Sequence, residues 1–236
     1  GVVKKAQNNV IKTKNYNRPL FVKDSVEDII GKPEIIGKVK AAVAPPEQRL
    51  IENNPHGNLI ADAMKNELGT DIAILNAGNI RGNFSEGTVD SRLISDITPF
   101  EDKMWIIGLS EKQIVDAINV GLKSLTKSSN KPGILLVSGL KYKANKQGEL
   151  LDLEFIDKNN QVHKIDVKNP DPNKKYTVAA DDFFATGGDG YLESNKNPDF
   201  VLQKFDMDKN KLACDYIKKM DQPMEIKDDH RIEIME

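Results

Sequence analysis

The sequence predicts an α+β fold, a mixed β-sheet packed with helices in one domain. Three observations lead there. Apolar residues recur at helical spacing over 57–69 and again over 111–125. After Pro132 the pattern changes to short aliphatic runs separated by turn residues. A last amphipathic stretch lies near 209–220. Helices, then strands, then a helix is the order of a mixed sheet rather than of regular βαβ winding. At 236 residues the chain fits one large domain, or one domain with an extension, and can bury a sizeable core.

Taken in order, residues 1–46 read as a connector or flanking arm. Lys, Asn and Val dominate it, Gly31-Lys32-Pro33 interrupts a weak helical spacing over 26–43, and Ala44-Pro45-Pro46 ends it. The domain proper is expected over 47–236. In 57–69, Leu59, Ile60, Ala63, Met64 and Leu68 share one helix face, Asn58 lies near the start and Gly69 is a C-terminal stop. Residues 71–76 form a short buried strand, 91–100 a short helix stopped by Pro99, and 103–109 a strand. Ser110 caps a helix to about Leu125, with Ile114, Ala117, Ile118 and Leu122 on one face and Glu111 suited to the dipole. Strands follow at 133–144, 149–157, 162–167 and 175–180, with a loop at 169–173. The last helix, near 209–220, places Leu212, Tyr216 and Ile217 on one side.

Composition removes several function classes. Apolar residues are 39% and charged residues 30%, as in a globular protein with a heavily solvated surface. A net charge of -2 provides no global basic field for a nucleic acid polymer or acidic lipid. Cys214 is the single cysteine, which rules out an internal disulfide and a multi-cysteine metal site. The longest aliphatic runs, such as 134–137, are far too short for a transmembrane segment. The chain starts at Gly1 without a signal peptide, the expectation being a processed or excised piece of a longer protein. Only five of 34 basic residues are Arg (Arg18, Arg49, Arg81, Arg92 and Arg231). Only Arg offers a planar bidentate fork for phosphate, so each one carries a question.

Two stretches carry most of the chemistry, 71–82 and 176–191. Each is an apolar strand-like run that ends in a glycine-rich turn. The first presents Asn76 and Arg81, and Gly78 lets a ligand approach the backbone. The second presents Asp182, Phe183 and Asp189, with Asp189 held on a sharp turn by flanking glycines. A carboxylate there can accept hydrogen bonds from two ribose hydroxyls. Phe100 and Phe183 could stack on a flat base, an interaction of about 1–3 kcal/mol per base in single-strand binders. Arg49 precedes a helix start, a known arrangement for phosphate. Each feature has a plainer alternative: a surface turn, a core Phe, a solvated Arg. The DMDKNK run at 206–211 resembles the start of a calcium loop, but Lys211 and Ile217 stand where glycine and glutamate are needed. Asn83-Phe84-Ser85 is a glycosylation sequon, relevant only in a eukaryotic secretory setting. Catalytic machinery is thin. His56, His163 and His230 are widely separated, and no metallophosphatase cluster, GxSxG elbow or GxxxxGK[ST] loop is present.

In combination, these motifs resemble the C-terminal domain of the 5′-nucleotidase family. The resemblance rests on R-x-x-E before GNLIADAM, the N-x-G-x-I-R turn, an I-x-P-F segment, a V-S-G-L strand and D-F-x-A-x-G-G-D-G-Y, in that order over 47–192. It implies a single domain of the 5′-nucleotidase C-terminal type. Arg49 and Arg81 would contact phosphate or ribose, Asn76 the nucleoside, Phe100 and Phe183 the two faces of the base, and Asp189 the ribose hydroxyls. Gly78 would give backbone room beside them. It also implies a partner, a metallophosphoesterase domain of the same parent protein carrying a divalent metal pair such as zinc or manganese. No catalytic residue and no metal would then lie in this chain, and the location would be periplasmic, cell-wall-associated or extracellular. Departures stand out. The family usually has N-G-G-G-I-R, and here Ala77 and Asn79 replace two glycines; a left-handed backbone is expected at Asn79. Asp182 stands where Asn is usual, adding negative charge beside the ligand. The stretch between Glu52 and Gly57 is one residue longer. Two other readings remain at this level, a non-catalytic nucleotide-binding module and an adhesion domain that keeps only the fold.

Overall fold

A computed structural model describes residues 32–196 and 198–236. In chain order its strands are β1 (Ile35–Ala42), β2 (Ile72–Asn76), β3 (Gly87–Asp90), β4 (Lys103–Ser110), β5 (Leu135–Ser138), β6 (Leu140–Asn145), β7 (Leu150–Ile156), β8 (Val162–Lys164), β9 (Lys175–Asp181), β10 (Val201–Asp208), β11 (Met224–Ile226) and β12 (Ile232–Met235). The helices are α1 (Pro55–Leu68), α2 (Ser91–Ile97), α3 (Glu111–Leu122), the single turn α4 (Asp182–Ala185) and α5 (Lys209–Lys219). The expected α+β class is the observed one.

Three sheets are present among the described residues, with strand orders β10-β4-β9-β2-β5, β12-β6-β7-β8 and β11-β1-β3. Each mixes directions. β2 runs parallel to β9, β12 to β6 and β1 to β11, while the other pairs are antiparallel. All five residues of β2 are buried, because α1 covers the sheet over β2, β5 and β9. Ile60, Ala61 and Met64 of α1 have at most 1% exposure, and its other side meets α5. Side chains of the size of Ile60 and Met64 each contribute about 1.5–3 kcal/mol on burial. β2 therefore has little freedom to shift, and the loop that leaves its end is correspondingly fixed.

Local chemistry sets the helix ends. α1 starts earlier than expected because Asn54, not Asn58, is its cap: the Asn54 side chain accepts from the amides of His56 and Gly57 at 3.1 and 3.2 Å, and Pro55 begins the first turn. Gly69, at φ 65°, closes the other end. Ser110 and Gln113 form a reciprocal capping box on α3.

Two expectations need correction. The arm expected over 1–46 ends too late. β1 is the middle strand of the three-stranded sheet, packs on α5, and buries Ile36 and Val39, so the compact unit runs from Glu34 to Glu236. Residues 1–31 of that arm lie outside the described residues. The strand expected at 133–144 is two strands. Gly139, at φ 76°, breaks it, so that β5 joins the five-stranded sheet and β6 the four-stranded one. A side chain at Gly139 would run into the Asp71 carbonyl, which leaves only glycine for that position. No described helix is long and apolar enough to cross a membrane.

Candidate functional site

Loops at the ends of the five-stranded sheet converge on one cavity of about 400 Å³. The turn after β2 supplies Asn76, Gly78 and Arg81. Arg49 comes from the segment before α1, Phe100 from the α2–β4 connection, and Phe183 and Asp189 from the α4 turn and the glycine turn beyond it. All seven residues singled out in the sequence thus line the same space. Five more line it that were not expected as ligand contacts: Leu50, Asn79, Asp102, Lys131 and Pro132.

The wall formed by 182–191 is rigidly built. The Asp181 side chain accepts the Phe184 amide at 2.9 Å and so caps the turn that carries Phe183. Phe183 is 39% exposed, a large apolar ring left facing solvent. Gly188 lies against it, since a Cβ there would stand 2.6 Å from the ring. Asp189 is left-handed at φ 56°, as its flanking glycines suggest. Tyr191 is buried, and its hydroxyl donates to the Gly133 carbonyl at 2.8 Å. That bond ties the glycine turn to the segment bearing Lys131 and Pro132. Burial pushes the Tyr191 phenol up, so it stays protonated and donating.

Charge is distributed unevenly around the cavity. Arg49 donates to the Ile80 carbonyl at 3.2 Å and Arg81 to the Gly78 carbonyl at 2.8 Å. Among the described residues neither has a carboxylate partner. Burial first, and then the positive charge of Arg81, press the Arg49 pKa downward. Arg81 also lies 5.4 Å from the centroid of the Phe100 ring, within cation–π range. Beneath this face is a buried ionic group. The Lys209 ammonium lies 3.5 Å from both Asp181 and Asp102 and 3.3 Å from the Phe100 carbonyl. Burial pushes the Asp181 pKa up and Lys209 opposes it.

The departures from the family pattern fall out as follows. Asn79 is not left-handed. It sits in a short 3₁₀ turn with its side chain 4% exposed, and its amide nitrogen contacts Asn76 Oδ1 and, at 3.4 Å, Asp181. Its own Oδ1 is buried without a protein donor. Ala77 points into the core and takes no space from the cavity. Asp182 is not among the residues that line the cavity. It accepts the Lys103 amide at 3.1 Å and lines an adjoining hollow beyond Phe183, together with Lys196 and Lys204. The phosphate arrangement expected at a helix start is also absent, because Asn54 occupies the first amides of α1. Arg49 faces the cavity as a side chain, independently of that helix.

His56 has no chemical role here. It is fully buried, its Nδ1 accepts the Phe84 amide at 3.1 Å, and its Nε2 faces the Val43 carbonyl at 3.0 Å. That assigns the proton to Nε2, and burial lowers its pKa, with the Val43 carbonyl opposing. Asp208 of the calcium-like run is simply the cap of α5, accepting from the Lys211 amide at 2.9 Å. Among the described residues no group of three or more His, Cys, Asp or Glu is placed to hold a metal ion. The lining side chains include two arginines, two phenylalanines, two asparagines and two aspartates, groups that can bind and orient a ligand.

Comparisons with known proteins agree with the fold. A family model described as 5′-nucleotidase, C-terminal domain, matches residues 35–194. Protein UshA of Escherichia coli K12 is 24% identical over 159 residues, 66% of this chain and 26% of UshA. The trifunctional nucleotide phosphoesterase protein YfkN of Bacillus subtilis is 29% identical over 178 residues, 72% of this chain and 12% of YfkN. This chain therefore spans about a quarter or less of these relatives. Among solved structures, a 5′-nucleotidase precursor from Thermus thermophilus superposes with a TM-score of 0.72 at 23% identity, covering 92% of this chain and 42% of that one. The NAD nucleotidase of Haemophilus influenzae gives 0.74 at 20% identity, covering 92% and 40%.

Proposed function

The chain belongs to the family of 5′-nucleotidase C-terminal domains, and on that premise we propose that it is the nucleotide-recognition domain of a phosphoester hydrolase acting in nucleotide catabolism. The observation that carries this reading is the convergence of Arg49, Asn76, Arg81, Phe100, Phe183 and Asp189, from distant parts of the chain, on one cavity. In this reading Phe100 and Phe183 take the faces of the base, Asp189 accepts from the ribose hydroxyls, Asn76 contacts the nucleoside, and the two arginines hold the phosphate. The uncompensated charge of Arg49 and Arg81 supports the last assignment, because an anion relieves their mutual repulsion.

Binding energy from base and ribose would hold the phosphate where a reacting centre can reach it, which is how remote contacts accelerate a reaction. The described residues do not fit a metal pair. Domains of this family normally accompany an N-terminal metallophosphoesterase domain, and that domain would hold the metals that activate the attacking water. The 236-residue chain alone is accordingly expected to be inactive, and AMP turnover by it with added zinc or manganese would contradict the assignment. The family resemblance supports a periplasmic, wall-associated or extracellular location, which fractionation of the source cells would test.

Calorimetry decides the clamp. AMP and adenosine should bind the wild type, and Phe183→Ala should weaken both about 5- to 150-fold, the equivalent of about 1–3 kcal/mol of stacking. Equal affinities in the two proteins would remove base stacking from the proposal. A second reading, a nucleotide-binding module without catalysis, is favoured by the extra side chain of Asn79 in the cavity wall. It predicts binding of the same ligands with no phosphoesterase domain in the parent protein.

A further inference from the structure

Lys209 is buried to 0% exposure at the first position of α5, yet it does not line the cavity. An ammonium out of water costs several kcal/mol unless it is well compensated. Here its compensation comes from two residues that line the cavity and from Asp181 behind it. The Phe100 carbonyl is 3.3 Å away, and carboxylate oxygens of Asp102 and Asp181 are each 3.5 Å away. Asp181 passes the connection on. One oxygen caps the turn that carries Phe183, and the other faces the Asn79 amide, which in turn contacts Asn76. Two cavity segments therefore meet at one cation, and a third, the Asn76–Asn79 turn, is joined to it through Asp181.

We propose that Lys209 is a positioning residue for the ligand site: it sets the separation of the Phe100 and Phe183 loops and the orientation of Asn76 without touching the ligand. This inference rests on the nucleotide reading above for its ligand, but not for its geometry. Take the cation away and the Asp102 and Asp181 carboxylates lose the positive charge that bridges them, so the loops separate. Among the described residues nothing comparable links Lys209 to Arg49 or to Asp189, whose turn is held instead by Tyr191 on Gly133.

The test uses the full chain with Lys209→Met, which keeps the apolar stem, and with Lys209→Met/Asp181→Asn, which removes the stranded carboxylate and remains foldable if the single variant does not. Calorimetry with AMP, adenosine and ribose 5-phosphate is combined with amide hydrogen exchange. AMP and adenosine should weaken about tenfold or more, as expected for misplaced contacts. Ribose 5-phosphate, which lacks a base, should change less than about twofold by the same reasoning. Exchange should quicken at the Phe184 and Lys103 amides and stay slow in α1 and β2. A merely structural lysine would lower the melting temperature and raise exchange uniformly, with folded-state affinities at wild-type values; that result overturns the inference. If the wild type binds neither AMP nor adenosine, the nucleotide reading fails, and the exchange pattern alone still decides whether Lys209 holds the loops.

Discussion

Two arginine regions of this molecule use the same side chain to opposite ends. Arg231 is largely buried and neutralised. It reaches Asp62 of α1 with both terminal nitrogens, at 2.6 and 3.0 Å, pairs with Asp229, and donates to the Val137 carbonyl at 2.9 Å. Arg49 and Arg81 donate to backbone carbonyls, Arg81 lies over the Phe100 ring, and among the described residues neither pairs with a carboxylate. A guanidinium whose charge is satisfied internally ties a helix to a strand. One whose charge is left open has free capacity for an anion from outside. The difference lies in the acidic neighbours, not in the arginines.

Breaking the neutralised region should give the largest effect. Arg231→Ala strands Asp62 and Asp229 and should destabilise the fold by about 2–3 kcal/mol, less than for a fully buried pair because the carboxylates keep partial solvent contact. Denaturant unfolding measures it, and the AMP affinity of the remaining folded protein should be unchanged. The open region should behave the other way round. Arg81→Ala should leave unfolding within about 0.5 kcal/mol of wild type. It should weaken AMP about tenfold or more, the loss of a charge-assisted hydrogen bond. Adenosine should lose less. A large stability loss with unaltered AMP binding would show that the two regions had been assigned the wrong way round.

Acid should sharpen the contrast with the smallest effect. Burial would raise the Asp229 pKa, but hydrogen bonding and attraction from Arg231 outweigh it, and the folded value lies below the ordinary one. With a depressed folded value, its contribution is complete above the unfolded carboxyl range, near pH 4, and is lost as pH falls through the folded value. Unfolding midpoints measured from pH 6 down to pH 3 should therefore fall more steeply for wild type than for Arg231→Ala. Parallel curves would remove Asp229 from the account.

The cavity is legible in the sequence because its loops announce themselves. Apolar β2 and β9 runs lead into turns with Gly78 and with Gly187, Gly188 and Gly190, and the polar and aromatic residues between them have nowhere to go but the strand ends. Lys209 is not legible. It stands in the polar run 206–211, where lysine reads as solvated, and only the packing of α5 against α1 and α2 shows it buried. Asn79 reads as a glycine substitute, whereas its side chain turns inward and bonds. β10 has no sequence signal because it is an edge strand with Leu202, Gln203 and Lys204 exposed, so it lacks the apolar signature of β2. β1 reads as part of an arm because only Ile36 and Val39 of its eight residues are buried.

The kink at Gly139 also has a mechanical consequence. Just ahead of it, Leu135 is paired with Asn76, which lines the cavity, while Val137 offers its carbonyl to Arg231. A single four-residue ribbon thus serves as a common ruler for both, and the peptide that follows fixes where its scale ends. Any side chain forced in at Gly139 would shift both readings together.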